Sequence, residues 1–186
     1  PYNHLPFKIE KGDKQFVDCL PIDKFESIKR LHLQYDYLAK ARDLFLMQCY
    51  TGLAYSDLMA FDFTKCKQAD GKYYYHAKRV KTDTDFTFQL LAGAVSVLTK
   101  YNFKLPCISN QKYNEYLKVI GMMVNVPNLH SHMGRATAAT LFLSFGMPLN
   151  VVAKVLGHTN IRQTQRYART LNKDVYSAFD NIDGKF

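Results

Sequence analysis

The sequence has few cysteines, and none of them is spaced for metal binding. Its 186 residues include four, at positions 19, 49, 66 and 107, and no two of them form a C-x-x-C pair. Several lie among Met, Leu and Phe residues, which favours packing over ligation. We therefore expect free thiols in a reducing compartment and no zinc site.

Motifs for nucleotide-dependent or metal-dependent chemistry are also missing. The chain contains no G-x-x-x-x-G-K-[S/T], no H-E-x-x-H and no paired acidic cluster at ligand spacing. No apolar run approaches the roughly 20 residues that a membrane-spanning helix needs. Internal repeats and low-complexity tracts are absent as well. Any chemistry should therefore come from the protein's own side chains, with no cofactor and no metal.

Acidic residues are in the minority. The chain has 16 Asp and Glu against 25 Lys and Arg, which gives a formal net charge of +9. Such an excess favours a polyanionic partner, and nucleic acid is the usual one. The length suits one globular domain with a substantial core.

The residue pattern predicts a mainly helical domain with one small antiparallel sheet, an α+β fold. Asp23, followed three residues later by Glu26, resembles a capping box that opens a first helix. Leu38, Ala41, Phe45 and Cys49 share one face of a second helix, which Thr51-Gly52 should end.

The sequence pattern changes between the predicted sheet and the later helices. Residues 61–90 form short aromatic and β-branched segments with an Asp70-Gly71 turn, and predict three antiparallel strands. From Ala92 onward the pattern is helical again, and prolines 106, 127 and 148 divide it into four or five helices.

Polar residues that could take part in catalysis occur in four separate segments. His132 and Arg135 lie three residues apart, so a helix would place them on one face. Gly157 suggests a tight turn before His158, and Tyr167 follows nine residues later. Lys81 lies between two predicted strands. Each of these residues, taken singly, is more often structural or simply solvated.

Their order, however, resembles the tyrosine recombinase (phage integrase) family. That family carries T-G-L-R-x-S-E-L, a hairpin lysine, H-x-x-R, L-G-H and then a tyrosine about nine residues on. Here "TGLAYSDL", "HSHMGR" and "LGHTNIRQTQRY" follow the same order, and the resemblance extends from about Ile22 to Phe179. One position departs from the pattern, because Ala54 replaces the first arginine. Asp57 matches the acidic position that supports that arginine.

The resemblance implies that DNA is cut and rejoined through a 3′-phosphotyrosine, without metal or ATP. Tyr167 would be the nucleophile, and Arg135 and His158 would bind the phosphoryl oxygens. His132 would take or relay the tyrosine proton, and Lys81 would protonate the departing 5′ oxygen.

The missing first arginine leaves a question for the site. Some mobile-element integrases also lack it, so its absence does not exclude the family. Arg42, on the helix that leads into the Thr-Gly-Leu turn, is our candidate for the second phosphate ligand. The alternative is that Arg42 pairs with an acidic neighbour on the surface.

The resemblance also implies a domain organisation and partners. Residues 1–21 would be a linker or an artificial start, residues 22–170 the catalytic domain, and residues 171–186 a tail helix that docks on a neighbouring protomer or on its own core. Double-stranded DNA would be bound by a homotetramer, with core-binding and arm-binding domains upstream, in the bacterial cytoplasm at the nucleoid. Two alternatives stay open: a DNA-binding module that has lost cleavage, and a type IB topoisomerase.

Overall fold

The computed structural model describes residues 18–171 and contains eight α-helices and three strands within that range. Helices α1 to α3 precede the sheet and span Ile22–Arg30, Asp36–Thr51 and Tyr55–Met59. Strands β1 to β3 span Lys67–Ala69, Lys72–Lys78 and Asp85–Gln89. The remaining helices, α4 to α8, span Ala92–Lys100, Asn110–Met123, Ser131–Ser144, Leu149–Leu156 and Ile161–Leu171. The fold class predicted from the sequence is confirmed.

Helix α2 is the centre of the domain. It packs against α4, α5 and α6, and ten of its sixteen residues are buried. The predicted face of α2 is correct, since Leu38, Ala41, Phe45 and Cys49 are all buried. The helix ends as expected at Gly52, whose φ of 73° lies in the left-handed region that suits glycine.

The sheet is antiparallel with strand order β1-β2-β3. Asp70 and Gly71 form the two-residue turn between β1 and β2, both with positive φ, as such hairpins require. The first strand lies later than predicted: it was expected at residues 61–66, but Phe63–Lys65 form a single 3-10 turn and β1 spans Lys67–Ala69. That turn is capped by Asp62, whose carboxylate accepts from the Thr64 backbone N–H. The sheet packs its aromatic face, with Tyr75, Phe86 and Phe88, into the main core.

The predicted capping box at Asp23 is wrong. The N-cap of α1 is Pro21, whose carbonyl accepts the Phe25 N–H, and no side chain caps the helix. Asp23 lies in the first turn instead. Burial of Phe25 and Ile28 sets the phase of this short helix, and core packing therefore outweighs the local capping signal.

Helices α6, α7 and α8 enclose a second, smaller core. It contains Ala136, Ala139, Val152, Leu156 and Tyr167. Helix α7 also packs against β3, so the sheet, α6 and α8 meet around the end of α7. None of the helices among the described residues is long and apolar enough to cross a membrane.

The packed domain begins before the predicted boundary at residue 22. Leu20 is buried, and its backbone N–H donates to the Thr137 hydroxyl on α6. Helix α8 continues to Leu171, so it passes the other predicted boundary at residue 170. The rest of the predicted tail, residues 172–186, lies outside the described residues.

Candidate active site

Arg135 is a charged residue in the interior of the domain. It lies on α6 and is only 5% exposed. Its guanidinium donates to two backbone carbonyls, Gly52 O and Leu156 O, each at 2.7 Å. Burial and the neighbouring Arg79 lower its pKa to about 10, so it remains charged at neutral pH. The ends of α2 and α7 thus hold a cation in a fixed orientation.

Arg79 is a second, partly buried cation at the site, and the sequence analysis missed it. It follows β2 at the start of the hairpin turn, and its guanidinium donates to Leu156 O at 2.6 Å. Arg79 and Arg135 therefore share one carbonyl acceptor. Burial lowers the pKa of Arg79, an effect that Asp57 and Tyr167 partly offset.

Asp57 holds Arg79 in place. The Asp57 Oδ2 atom lies 2.7 Å from Arg79 Nε, so the two side chains form an ion pair. The direction of the Nε–H bond does not meet hydrogen-bond geometry. The other carboxylate oxygen accepts the Val80 backbone N–H at 2.8 Å. In the family pattern this acidic position supports the arginine that Ala54 replaces, and in this structure the arginine beside Asp57 comes from the hairpin.

Gly157 makes room for the Arg79 side chain. The residue ends α7 with a φ of 63°, which glycine adopts without strain. A Cβ atom at this position would lie 2.9 Å from Arg79 Cγ and 3.2 Å from Phe86 Cβ. The glycine of "LGHTN" therefore serves both the turn that was predicted and a close approach of the hairpin.

Tyr167 and His158 complete one wall of the site. Tyr167 lies on α8 and is 6% exposed, and its ring is nearly parallel to the His158 ring, with centroids 6.2 Å apart. Burial, Arg135 and Arg79 lower the pKa of His158 to about 4. The imidazole is therefore neutral at pH 7. Its Nδ1 atom lies 2.7 Å from the Thr164 hydroxyl.

These residues line one cavity of about 490 Å³, in which four predicted residues, Tyr167, Arg135, His132 and His158, meet Arg79. His132 is exposed at its rim. Partial burial, followed by Arg135, His130 and Arg166, lowers the pKa of His132. Arg166 lines the same cavity, which therefore has three guanidinium groups beside its neutral imidazoles and suits a small anion next to a tyrosine.

Lys81 lies next to this cavity. It is an exposed residue in the β2–β3 turn and lines an adjoining cavity of about 260 Å³ that also contacts Ala54, His132 and Arg135. The sequence placed this lysine correctly on a hairpin. Its approach to the helical part of the site depends on the tertiary structure.

The contacts of Arg42 differ from those expected of a phosphate ligand. Its Nε donates to Asp43 Oδ1 at 2.9 Å and its NH1 group donates to Leu31 O at 2.7 Å. Arg42 is not among the residues that line either cavity. Arg42 therefore has an acidic partner, as in the alternative, although Asp43 is buried and not at the surface. The arginine that lies beside Arg135 is Arg79. The sequence did contain a signal for Arg79. Position 57 is acidic although Ala54 offers it no positive charge, and Arg79 lies two residues before the predicted hairpin lysine.

Comparison with known proteins adds a family match and a fold. Residues 101–174 match the model of the phage integrase family. No curated protein matches the chain. Among solved structures, the XerH site-specific recombinase bound to difH substrate aligns with a TM-score of 0.67 and 20% identity, over 87% of this chain and 53% of that one. This chain thus spans about half the length of that recombinase.

Two further structures show the same fold. The Tn1549 transposon integrase in complex with a circular intermediate DNA aligns with a TM-score of 0.65 and 16% identity, over 84% of this chain and 65% of that one. The catalytic domain of bacteriophage HP1 integrase aligns with a TM-score of 0.57 and 17% identity, over 86% of this chain and 94% of that one.

Proposed function

We propose that this chain, whose residues 101–174 match the phage integrase family and whose fold is that of tyrosine recombinase catalytic domains, cuts and rejoins DNA as part of a site-specific recombinase. One observation carries the proposal. Tyr167 lies in a single cavity with the buried Arg135 and the partly buried Arg79, whose guanidinium groups both donate to the Leu156 carbonyl. A tyrosine held among cations suits attack on a phosphodiester, because the cations stabilise both the phenolate and the charge on phosphorus.

In the proposed reaction, the Tyr167 oxygen attacks the phosphorus and the bond from phosphorus to the 5′ oxygen breaks. The tyrosine proton passes to His132, whose lowered pKa keeps the imidazole neutral and able to accept it. Lys81 gives a proton to the departing 5′ oxygen. The products are a 3′-phosphotyrosine and a free 5′ hydroxyl. Because the ester bond is kept, a 5′ hydroxyl can reverse the step without ATP.

Arg79 takes the place of the missing first arginine in this scheme. Arg79 and Arg135 bind the two non-bridging phosphoryl oxygens, since each planar guanidinium still has N–H groups beyond those bound to carbonyls. The neutral His158 donates a third hydrogen bond. The absence of an arginine at Ala54 then does not remove the second phosphate ligand, because Arg79, at the end of β2, supplies the positive charge and pairs with Asp57.

The partner follows from the same chemistry. Double-stranded DNA fits the net charge of +9. The XerH structure is bound to difH substrate, and the Tn1549 structure is in complex with a circular intermediate DNA. We extend the proposal to a homotetramer on DNA that acts in the bacterial cytoplasm. We also propose additional DNA-binding domains, since this chain aligns with only 53% of the XerH recombinase.

A trapping experiment tests the function. Nicked duplexes of randomised sequence allow a short 5′-hydroxyl fragment to leave after cleavage, so the covalent adduct accumulates. We expect an adduct that resists denaturation and a nucleotide-bearing peptide that contains Tyr167 by mass spectrometry. Tyr167→Phe should remove the adduct and retain DNA binding, since only the hydroxyl attacks.

The matched control is Tyr74→Phe, which removes a hydroxyl from an exposed tyrosine on β2. It should form the adduct at the normal rate. An adduct on Tyr167→Phe would remove this residue from the role. DNA binding by the unaltered chain without any adduct would favour the binding module, and strand exchange between two sites separates a recombinase from a topoisomerase.

A further inference from the structure

Thr164 is a completely buried polar residue on the helix that carries Tyr167. Its exposure is 0%, and its hydroxyl lies 2.7 Å from His158 Nδ1. Thr164 and Tyr167 are three residues apart on α8, so the residue bound to His158 and the nucleophile move as one unit.

The direction of this hydrogen bond follows from the acceptor that the Thr164 hydroxyl needs. The hydroxyls of Thr51, Thr99 and Thr140 each donate to the carbonyl four residues earlier in their helices. Among the described residues, Thr164 has no such bond to Asn160, and His158 Nδ1 is the partner that the structure gives its hydroxyl. A buried hydroxyl proton without an acceptor is costly, so Thr164 donates it to Nδ1.

A donated proton at Nδ1 decides the state of the other ring nitrogen. The neutral imidazole carries one proton, and Nδ1 must be unprotonated to accept. The proton is then on Nε2, on the side of the ring away from the buried Thr164. His158 lines the cavity beside Arg79 and Arg135. There, an Nε2–H group can donate to a phosphoryl oxygen, whereas an unprotonated Nε2 would place its lone pair against that oxygen.

We propose that Thr164 is a positioning residue that holds His158 in its Nε2–H tautomer and so makes it a hydrogen-bond donor to an anion in the cavity. The use of that donor in cleavage rests on the proposed function. The tautomer itself is a property of the folded protein without DNA, so the two can fail separately.

Nitrogen-15 chemical shifts of the histidine ring provide the direct test. In the unaltered protein at pH 7, we expect His158 as the Nε2–H tautomer. Thr164→Ser keeps the hydroxyl and should keep the tautomer. Thr164→Val keeps the shape without the hydroxyl, and the ring should shift toward the Nδ1–H form. Thr140→Val is the matched control, because it removes a helical hydroxyl that donates to its own helix, at Ala136 O.

Cleavage rates supply the second readout. Thr164→Val should cut DNA about a hundredfold more slowly, the typical effect of losing one preorganised donor, whereas Thr164→Ser should stay within a few-fold of normal. An Nδ1–H tautomer in the unaltered protein overturns the proposal even if Thr164→Val does not fold. An unchanged tautomer in folded Thr164→Val also overturns it. The expected tautomers without any DNA cleavage would retain the positioning role and refute the proposed function.

Discussion

Asp57 and Arg79 form an ion pair that is almost dry. Their facing atoms are 2.7 Å apart, and the side chains are 2% and 11% exposed. The pair joins α3 to the hairpin after β2, two elements that lie more than 20 residues apart in the chain. Removing one partner of such a pair leaves an uncompensated buried charge, which is expensive. The pair therefore fixes where the hairpin lies over the cavity.

Arg79→Ala should reduce the cleavage rate by about a hundredfold or more, because the transition state loses one of two guanidinium ligands. The cleavage rate of Arg79→Lys should lie between those of the unaltered protein and Arg79→Ala, since an ammonium keeps the charge but loses the planar fork of the guanidinium. Rates of adduct formation at saturating DNA measure both. Lys78→Ala is the matched control on the same hairpin, where Lys78 is exposed and pairs with Asp83. An unchanged rate in folded Arg79→Ala would end its assigned role.

Ala54→Arg should not speed cleavage in the unaltered protein, since Asp57 already holds Arg79 and the new cation would lie near two others. In the Arg79→Ala background the same change should raise the rate at least tenfold, because Asp57 is then free to hold the new guanidinium. The four proteins form a double-mutant cycle, and a coupling of about 1–3 kcal/mol is expected for residues that compete for one partner. Additive effects of the two changes would contradict this competition.

Arg42→Ala should affect stability rather than catalysis. Arg42 bonds to Leu31 O and to Asp43, whose carboxylate also receives Lys100 and Tyr101. We expect the free energy of unfolding in urea to fall by about 1–3 kcal/mol. Cleavage per folded molecule should stay normal. A catalytic loss without a stability loss would return Arg42 to the site.

The cleavage rate should depend on the ionisation of His132. Partial burial and the nearby Arg135 lower its pKa below the ordinary value of about 6.5. In the proposed reaction the neutral ring accepts the tyrosine proton, so the rate should be constant near neutral pH and fall only as pH drops through this lowered pKa. A pH–rate profile measures the acid limb, and His132→Gln should remove it. A limb that stays in place in His132→Gln belongs to another group.

Much of the fold was determined by local sequence. The apolar spacing of α2, the Asp70-Gly71 turn and the left-handed glycines 52 and 157 act within a few residues of themselves, so their signals are readable directly. The order of the family motifs likewise indicated Tyr167, Arg135, His132, His158 and Lys81 as one group. The Asp23 cap failed because burial of Phe25 and Ile28 decided the start of α1.

Only the tertiary structure decided which arginine accompanies Arg135. Arg42 and Arg79 are both arginines near predicted elements, and their sequence neighbourhoods do not tell which of them reaches the cavity. The choice depends on long-range packing: α7 against β3 brings Leu156 O to Arg79, Gly157 admits its stem, and Asp57 receives its charge. Hydrogen bonds and ion pairs between distant segments have no period in the sequence, because they exist only once the core has brought those segments together.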